Sequence, residues 1–155
     1  MYQGLLHTHN FLRWVVLILA VLAIYRYLSG WLSKKTYTSS DNRIGAFYVG
    51  SLHLQLLIGI ILYFFLSPIT KNAMSDTSLM MKDAVLRFWG MEHLIMMVFA
   101  IAIAQVGRIV SKRKNTDEEK FKFGAIYFII SLLLILMSIP WPFRESIGRS
   151  LFPGM

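Results

Sequence analysis

The chain has 155 residues, of which 56% are apolar and 14% aromatic, and its formal net charge is +8. A soluble domain of this length does not need so much apolar surface, so the composition excludes an ordinary soluble domain and indicates a membrane protein. The chain has no cysteine, which excludes disulfides, thiolate metal sites and haem attachment through a Cys-x-x-Cys-His motif.

Four apolar runs approach or reach the ~20 residues that a helix needs to cross the hydrocarbon of a bilayer. The predicted helices cover approximately residues 8–32, 42–67, 78–111 and 119–139. The first run lacks the basic leader and the cleavage pattern of a removable signal peptide, so we expect it to remain as helix 1. We therefore predict one transmembrane domain, 1–155, with the all-α fold of an antiparallel up-and-down four-helix bundle.

Helix 1 has two histidines and an arginine near its outer end. His9 and Arg13 are four residues apart and share a helical face. His7 and His9 point in different directions on a helix, so a joint metal site would require an extended segment. His9 is a candidate ligand for surface copper or zinc, or an alternative axial ligand, and simple residence among the lipid headgroups is the other interpretation.

Helices 2 and 3 each carry a histidine that follows a glycine by three residues: Gly50 precedes His53, and Gly90 precedes His93. Ionisable groups inside membrane-length segments are rare unless they are paired, buried or functional, and imidazole is a common metal ligand. Glycine at this spacing leaves space on the face of the helix that bears the histidine, as a flat macrocycle would require. The alternative is that both glycines only permit close helix packing.

Two estimates of depth disagree on whether His53 and His93 can share a ligand. The midpoints of the two apolar runs separate the histidines by roughly 10 Å along the helix axis. Counting from a reversal near Asn72 and Ala73 instead places each histidine about 20 residues from the turn, within one helical turn of the other. We adopt the second count, because hydropathy midpoints blur when one helix extends beyond the lipid.

Glu92 and several arginines lie near the same outer ends. Glu92 lies about 100° around the helix from His93, and we expect it to form a structural ion pair with Arg87 or Arg13. A bond to a backbone group and proton transfer are the alternatives. Arg13, Arg87 and Arg144 are candidate partners for the propionates of a haem, because arginine binds carboxylates bidentately. Ordinary anchoring at the membrane interface is the alternative for each arginine.

Methionines near His93 indicate copper as an alternative to haem iron. Met96 and Met97 follow His93 by three and four residues, and thioether and imidazole ligands suit Cu(I). A copper site could also draw on His7 and His9. Methionine is, however, an ordinary apolar filler of membrane helices.

The basic residues lie in short segments that flank the apolar runs, where they set topology and do not indicate nucleic-acid binding. Ten of the 16 lie on the side of the first and third connections and six on the other side. Both termini are therefore predicted on the non-cytoplasmic side of the inner membrane. The last helix is predicted to stop at Pro140-Trp141-Pro142.

The sequence resembles small membrane proteins catalogued as cytochrome b-like. The likeness comes from the four-helix pattern, His53 and three motifs: His-Thr-His-Asn before Arg13-Trp14, Arg-Phe-Trp-Gly-Met-Glu-His93, and the terminal Pro-Trp-Pro-Phe. More distantly, the chain is similar to the copper-resistance D-type and b561-type membrane cytochromes. The resemblance implies one b-type haem between His53 and His93, because only these two histidines lie well inside the membrane.

Two axial nitrogens leave the iron no open position for oxygen chemistry, so the resemblance implies an electron-transfer subunit and not a stand-alone enzyme. No catalytic residue is predicted. The chain has no recognisable nucleotide site, so the expected partners are the lipid bilayer and either quinone or membrane redox proteins, with a second copy of the chain as a further candidate. The alternatives are a copper-handling or transport protein and a cofactor-free accessory subunit whose histidines make interhelical hydrogen bonds.

Overall fold

The computed structural model describes residues 1–152, and over this range every regular element is helical. The helices are α1 (Tyr2–Leu32), α2 (Ser39–Ile61), α3 (Pro68–Ser75), α4 (Thr77–Lys82), α5 (Ala84–Arg87), α6 (His93–Arg113) and α7 (Asp117–Ser138). A π-helical turn, Leu62–Leu66, extends α2, and another, Phe88–Glu92, joins α5 to α6. The end of the predicted domain, 153–155, lies outside the described residues.

Four helical segments are long and apolar enough to cross a membrane, as predicted: Tyr2–Leu32, Ser39–Leu66, Ala84–Arg113 and Asp117–Ser138. Helix α1 starts at Tyr2 and not near residue 8, because the polar stretch before Phe11 contains no proline and continues the helix. These four apolar helices fit a multi-pass membrane protein.

The segment between α2 and α6 is more structured than the predicted connection. Pro68 holds Ser67 in an extended conformation (ψ 120°), which ends the second spanning segment and lets Ser67 cap α3. Asp76 and Asp83 then cap α4 and α5, since each carboxylate accepts the backbone N–H three residues later, at 2.9 Å and 2.8 Å. Helix 3, predicted as one helix over residues 78–111, is thus interrupted at Asp83, whose extended conformation (ψ 121°) separates α4 from α5.

The long helices pack through small residues and aromatic rings. Helix α1 packs against α2 and α7, and α6 packs against α7 and α2. Gly107 and Gly124 allow close approach in this packing: a Cβ on Gly107 would lie 2.1 Å from the Cβ of Tyr127, and one on Gly124 would lie 2.2 Å from the Tyr27 ring. The fully buried side chains at this packing surface are Ala20, Ala23, Ala100, Ala104, Ala125, Tyr48 and Phe128.

Two buried hydroxyl groups, those of Tyr48 and Ser131, form hydrogen bonds between the packed helices. Tyr48 Oη and Ser131 Oγ are 2.9 Å apart, and Ser131 Oγ donates to the carbonyl of Ala100 at 2.8 Å. A buried hydroxyl without a hydrogen bond is costly, so this chain of contacts ties α2, α7 and α6 together at one level. We call the end of the molecule that holds Tyr2 and Ser150 the terminal end.

Candidate functional site

A cavity of about 410 Å³ lies between the helices at the terminal end. Its volume falls within the ~300–1,000 Å³ that is usual for small-molecule and cofactor sites. Most of its wall surface is apolar, and none of its lining residues within 1–152 is acidic. The polar and aromatic lining residues are Tyr2, Gln3, His7, His9, Asn10, Arg13, Gln55, Tyr63, Ser67, Thr70, Trp89, His93, Arg149 and Ser150.

His93 enters this cavity with a fixed ring orientation. Its Nδ1 lies 2.9 Å from the carbonyl oxygen of Ser138. A carbonyl can only accept, so Nδ1 carries the proton and Nε2 keeps its lone pair. Histidines that bind metals commonly donate their other ring N–H to a carbonyl or carboxylate in this way. The arrangement therefore leaves His93 with one nitrogen able to act as a ligand.

The Ser138 carbonyl is free because of how α7 ends. Pro140 disfavours helical geometry for Ile139, which is extended (ψ 132°), so the last carbonyls of the helix lose their usual partners. The residue that would normally donate to Ser138 is Pro142, which has no N–H. The Ile135 carbonyl keeps its helical donor, Ile139 N. The next three carbonyls, of Leu136, Met137 and Ser138, accept instead from Trp141 Nε1, Arg144 Nη1 and His93 Nδ1 respectively.

His9 lies in the same cavity and is half-buried. Gln55 Nε2 donates to the carbonyl oxygen of His9 at 2.8 Å, which ties α2 to α1 beside the imidazole. Within residues 1–152, His9 Nδ1 and Gln55 Oε1 are both buried without a hydrogen-bond partner. Buried polar atoms are normally satisfied, so these two atoms indicate a place where a bound group or water completes the site.

Gly59 provides the space beside His9. A Cβ at this position would lie 3.3 Å from Cε1 of the His9 ring, which is tighter than an ordinary contact. Gly59 lies four residues after Gln55, so the two share one face of α2. Neither residue was singled out from the sequence. The available signal was a glutamine inside an apolar run, followed by glycine at helical spacing.

The structure does not bring His53 into the cavity. His53 is exposed on α2, and its Nδ1 lies 2.8 Å from the carbonyl of Val49 on its own helix. Leu52 and Leu56 do line the cavity, so the helix is at the right level and His53 is turned away by the 100° between adjacent residues. The predicted pairing of His53 with His93 therefore does not fit this geometry, in which His7 and His9 share the cavity with His93.

Gly50 and Gly90, which were predicted to leave space beside the histidines, also lie outside the cavity lining. A Cβ on Gly50 would meet nothing within 4 Å, and Gly50 is exposed. A Cβ on Gly90 would lie 2.7 Å from both Ala73 Cβ and Met80 Sδ. Gly90 thus lets α3 and α4 pack closely against the π-helical turn, which corresponds to the packing interpretation. Neither glycine makes space in the cavity.

Arg13 and Arg87, which the sequence analysis named as partners for haem propionates, differ in their position relative to the cavity. Arg13 lines the cavity, is 9% exposed, and donates through Nη2 to the carbonyl of Leu151 at 2.6 Å. Arg87 does not line the cavity, and its Nε pairs with Glu92 Oε1 at 2.8 Å. This contact confirms the predicted structural ion pair of Glu92. The sequence reasoning missed Arg149, which lines the cavity from the C-terminal segment.

In the part of the chain that is described, no cluster of histidine and acidic ligands supports the alternative of a copper site. His7 and Met97 line the cavity with His9 and His93, but residues 1–152 contain no group of three or more histidine or acidic side chains arranged to hold a metal ion. Three histidines, His7 and His9 on α1 and His93 on α6, therefore line one cavity.

The chain matches no protein-family model, and comparison with curated proteins and with solved structures gave no match.

Proposed function

We propose that this protein is an integral membrane cytochrome that holds one b-type haem in the cavity at the terminal end, with His9 and His93 as axial ligands. The observation that carries the proposal is that two histidines from different helices share a cavity of about 410 Å³. One ring is oriented by the Ser138 carbonyl, and the other has a buried nitrogen without a partner in residues 1–152.

The residues around the cavity suit this group in type and position. Aliphatic side chains on α2, α6 and α7 supply an apolar enclosure for a macrocycle, and imidazole is the usual axial ligand of b-type haem. The hydrogen bond from His93 Nδ1 to Ser138 increases the electron donation of the free Nε2 and keeps the ring from rotating. Gly59 leaves room for the His9 ring on the opposite wall.

A bound haem supplies a one-electron couple, and the protein contributes ligation, orientation and exclusion of water. Ligation from both sides leaves no position for oxygen or substrate, which favours electron transfer over catalysis. Quinone or a membrane redox protein is the proposed electron partner, and a second copy of the chain is a further candidate. We also propose an antiparallel up-and-down arrangement across the inner membrane, with both termini on the non-cytoplasmic side.

Haem content tests this function directly. Protein expressed with ample haem and purified in detergent should carry about one haem per chain by the pyridine haemochrome assay, because His9 and His93 supply one pair of ligands. A colourless protein that takes up no haem on titration would contradict the proposal. That outcome would favour a cofactor-free accessory subunit in which His93 only caps the end of α7.

Gly59→Ala is expected to weaken haem binding about tenfold, the effect usual for disturbing a group that orients a ligand. The added methyl group would lie 3.3 Å from the His9 ring and push the imidazole from its position. Haem titration followed by absorbance measures the change. Gly50→Ala on the same helix is the matched control, since nothing lies within 4 Å of its added methyl group. Equal affinities in the two variants would contradict a role for His9.

A further inference from the structure

The charge of Arg13 is not balanced by a carboxylate in the described chain. The ion pairs within residues 1–152 are Arg26–Asp41, Arg87–Glu92 and Lys120–Asp117. Arg13 is more buried than these cations, and its Nε is buried without a hydrogen-bond partner in that range. A buried guanidinium without a counter-charge is costly, and no acidic residue lines the cavity beside it.

A second guanidinium reaches the same cavity from the C-terminal segment. Arg149 lies over the ring of Trp89, with its Cζ 4.9 Å from the ring centroid. Trp89 itself lines the cavity and belongs to the π-helical turn that precedes α6. Arg149 thus brings a second positive charge to the cavity, and no carboxylate pairs with it in residues 1–152.

The segment that carries Arg149 is held against α1 by side chains of α1. Asn10 Nδ2 donates to the carbonyl of Ser150 at 3.4 Å, and Arg13 Nη2 and Trp14 Nε1 donate to that of Leu151 at 2.6 Å and 3.0 Å. The ring of Phe152 stacks on Trp14, with centroids 5.5 Å apart. We call residues 149–152 the C-terminal strap. The strap therefore joins α1 to the Trp89 side of the cavity.

We propose that Arg13 and Arg149 form a carboxylate-binding subsite at the edge of the cavity, and that a bound carboxylate holds the C-terminal strap closed. Arginine binds carboxylates through two parallel N–H donors, and Nε of Arg13 is still available while Nη2 holds Leu151. One guanidinium thus contacts both the ligand and the strap. One source of the carboxylate is a haem propionate, and for this source the inference rests on the proposed function. A fatty acid is a second source of the same chemical group.

Binding of free acids and esters tests the subsite. Iron protoporphyrin IX and its dimethyl ester are titrated into purified wild-type protein, with metal-free protoporphyrin IX and its ester as a second pair that needs no histidine ligation. Wild type should prefer each acid over its ester by about tenfold, as expected for one charge-assisted bidentate contact. Arg149→Gln should reduce this preference to about twofold or less.

Arg144→Gln is the matched control. Arg144 lies at the same end of the chain, but its guanidinium contacts the Met137 carbonyl and the Phe88 ring and does not line the cavity. This variant should keep the wild-type preference for acids. Equal binding of acid and ester to wild type, or equal loss in Arg144→Gln and Arg149→Gln, would overturn the subsite.

Closure of the C-terminal strap is tested by limited proteolysis. Trypsin cleaves after Arg149, so a carboxylate that binds this side chain should slow cleavage there, whereas the ester should not.

Palmitate and methyl palmitate form a third pair that separates a fatty acid from a porphyrin as the source of the carboxylate. If no porphyrin binds but palmitate protects Arg149, the haem proposal fails and the subsite stands. If haem binds but neither porphyrin acid nor palmitate protects, the closure of the strap is wrong while haem ligation stands.

Discussion

His93→Ala is expected to abolish the haem spectrum of the purified protein, with binding weakened by more than about 100-fold. The substitution removes one axial ligand and leaves the Ser138 carbonyl at the end of α7 without its donor. His9→Ala should have the same spectroscopic effect, because it removes the ligand on the opposite wall. His53→Ala should retain the wild-type spectrum, since His53 is exposed, does not line the cavity and hydrogen-bonds to a carbonyl of its own helix. Absorption spectroscopy of the three variants, purified in parallel, measures these outcomes.

Imidazole rescue separates loss of a ligand from loss of fold. Free imidazole can occupy the space left by His93→Ala and supply the missing nitrogen, so its addition should restore a low-spin spectrum. If His53→Ala loses its haem while His9→Ala keeps it, the ligand assignment is wrong and the pairing first predicted from the sequence is correct.

Gly107→Ala is expected to lower the free energy of unfolding by about 2 to 3 kcal/mol. The new methyl group would lie 2.1 Å from Tyr127 Cβ, an atom fixed to the α7 backbone, so α6 and α7 must separate. Alanine favours the helix over glycine by about 1 kcal/mol, which does not offset the overlap. Thermal unfolding in detergent, followed by circular dichroism, measures the change.

Gly50→Ala is the matched control for this stability measurement as well. It has the same gain in helix propensity and no atom within 4 Å of the new methyl group. We expect its unfolding temperature to equal or exceed that of wild type. Equal unfolding temperatures for Gly107→Ala and wild type would mean that the α6–α7 contact is looser than the structure has it.

The number and composition of the long helices could be read from the sequence, because length and apolarity are local properties of a chain. The ion pair of Arg87 with Glu92 could also be predicted, since the two residues are only five positions apart in the chain. The rotation of α2 about its own axis could not be predicted from the sequence. That helix is apolar on most faces, so nothing local distinguishes the side of Leu52 from the side of His53.

The cavity depends on contacts between residues far apart in the chain. Gln55 meets the carbonyl of His9, and the strap that carries Arg149 returns to α1 over more than a hundred residues. The free carbonyl of Ser138 can be inferred from Pro140 and Pro142, but its capture by His93 depends on the packing of α6 against α7. These long-range contacts could not be read from local sequence patterns.

The most direct test of the central proposal is the absorption spectrum of the wild-type protein, reduced with dithionite and then exposed to carbon monoxide. Ligation by His9 and His93 predicts a sharp low-spin reduced spectrum that carbon monoxide does not change, because both axial positions are occupied. A high-spin reduced spectrum that shifts on adding carbon monoxide would show an open position on the iron and contradict ligation by two histidines. The absence of any haem absorption would contradict the cytochrome proposal as a whole.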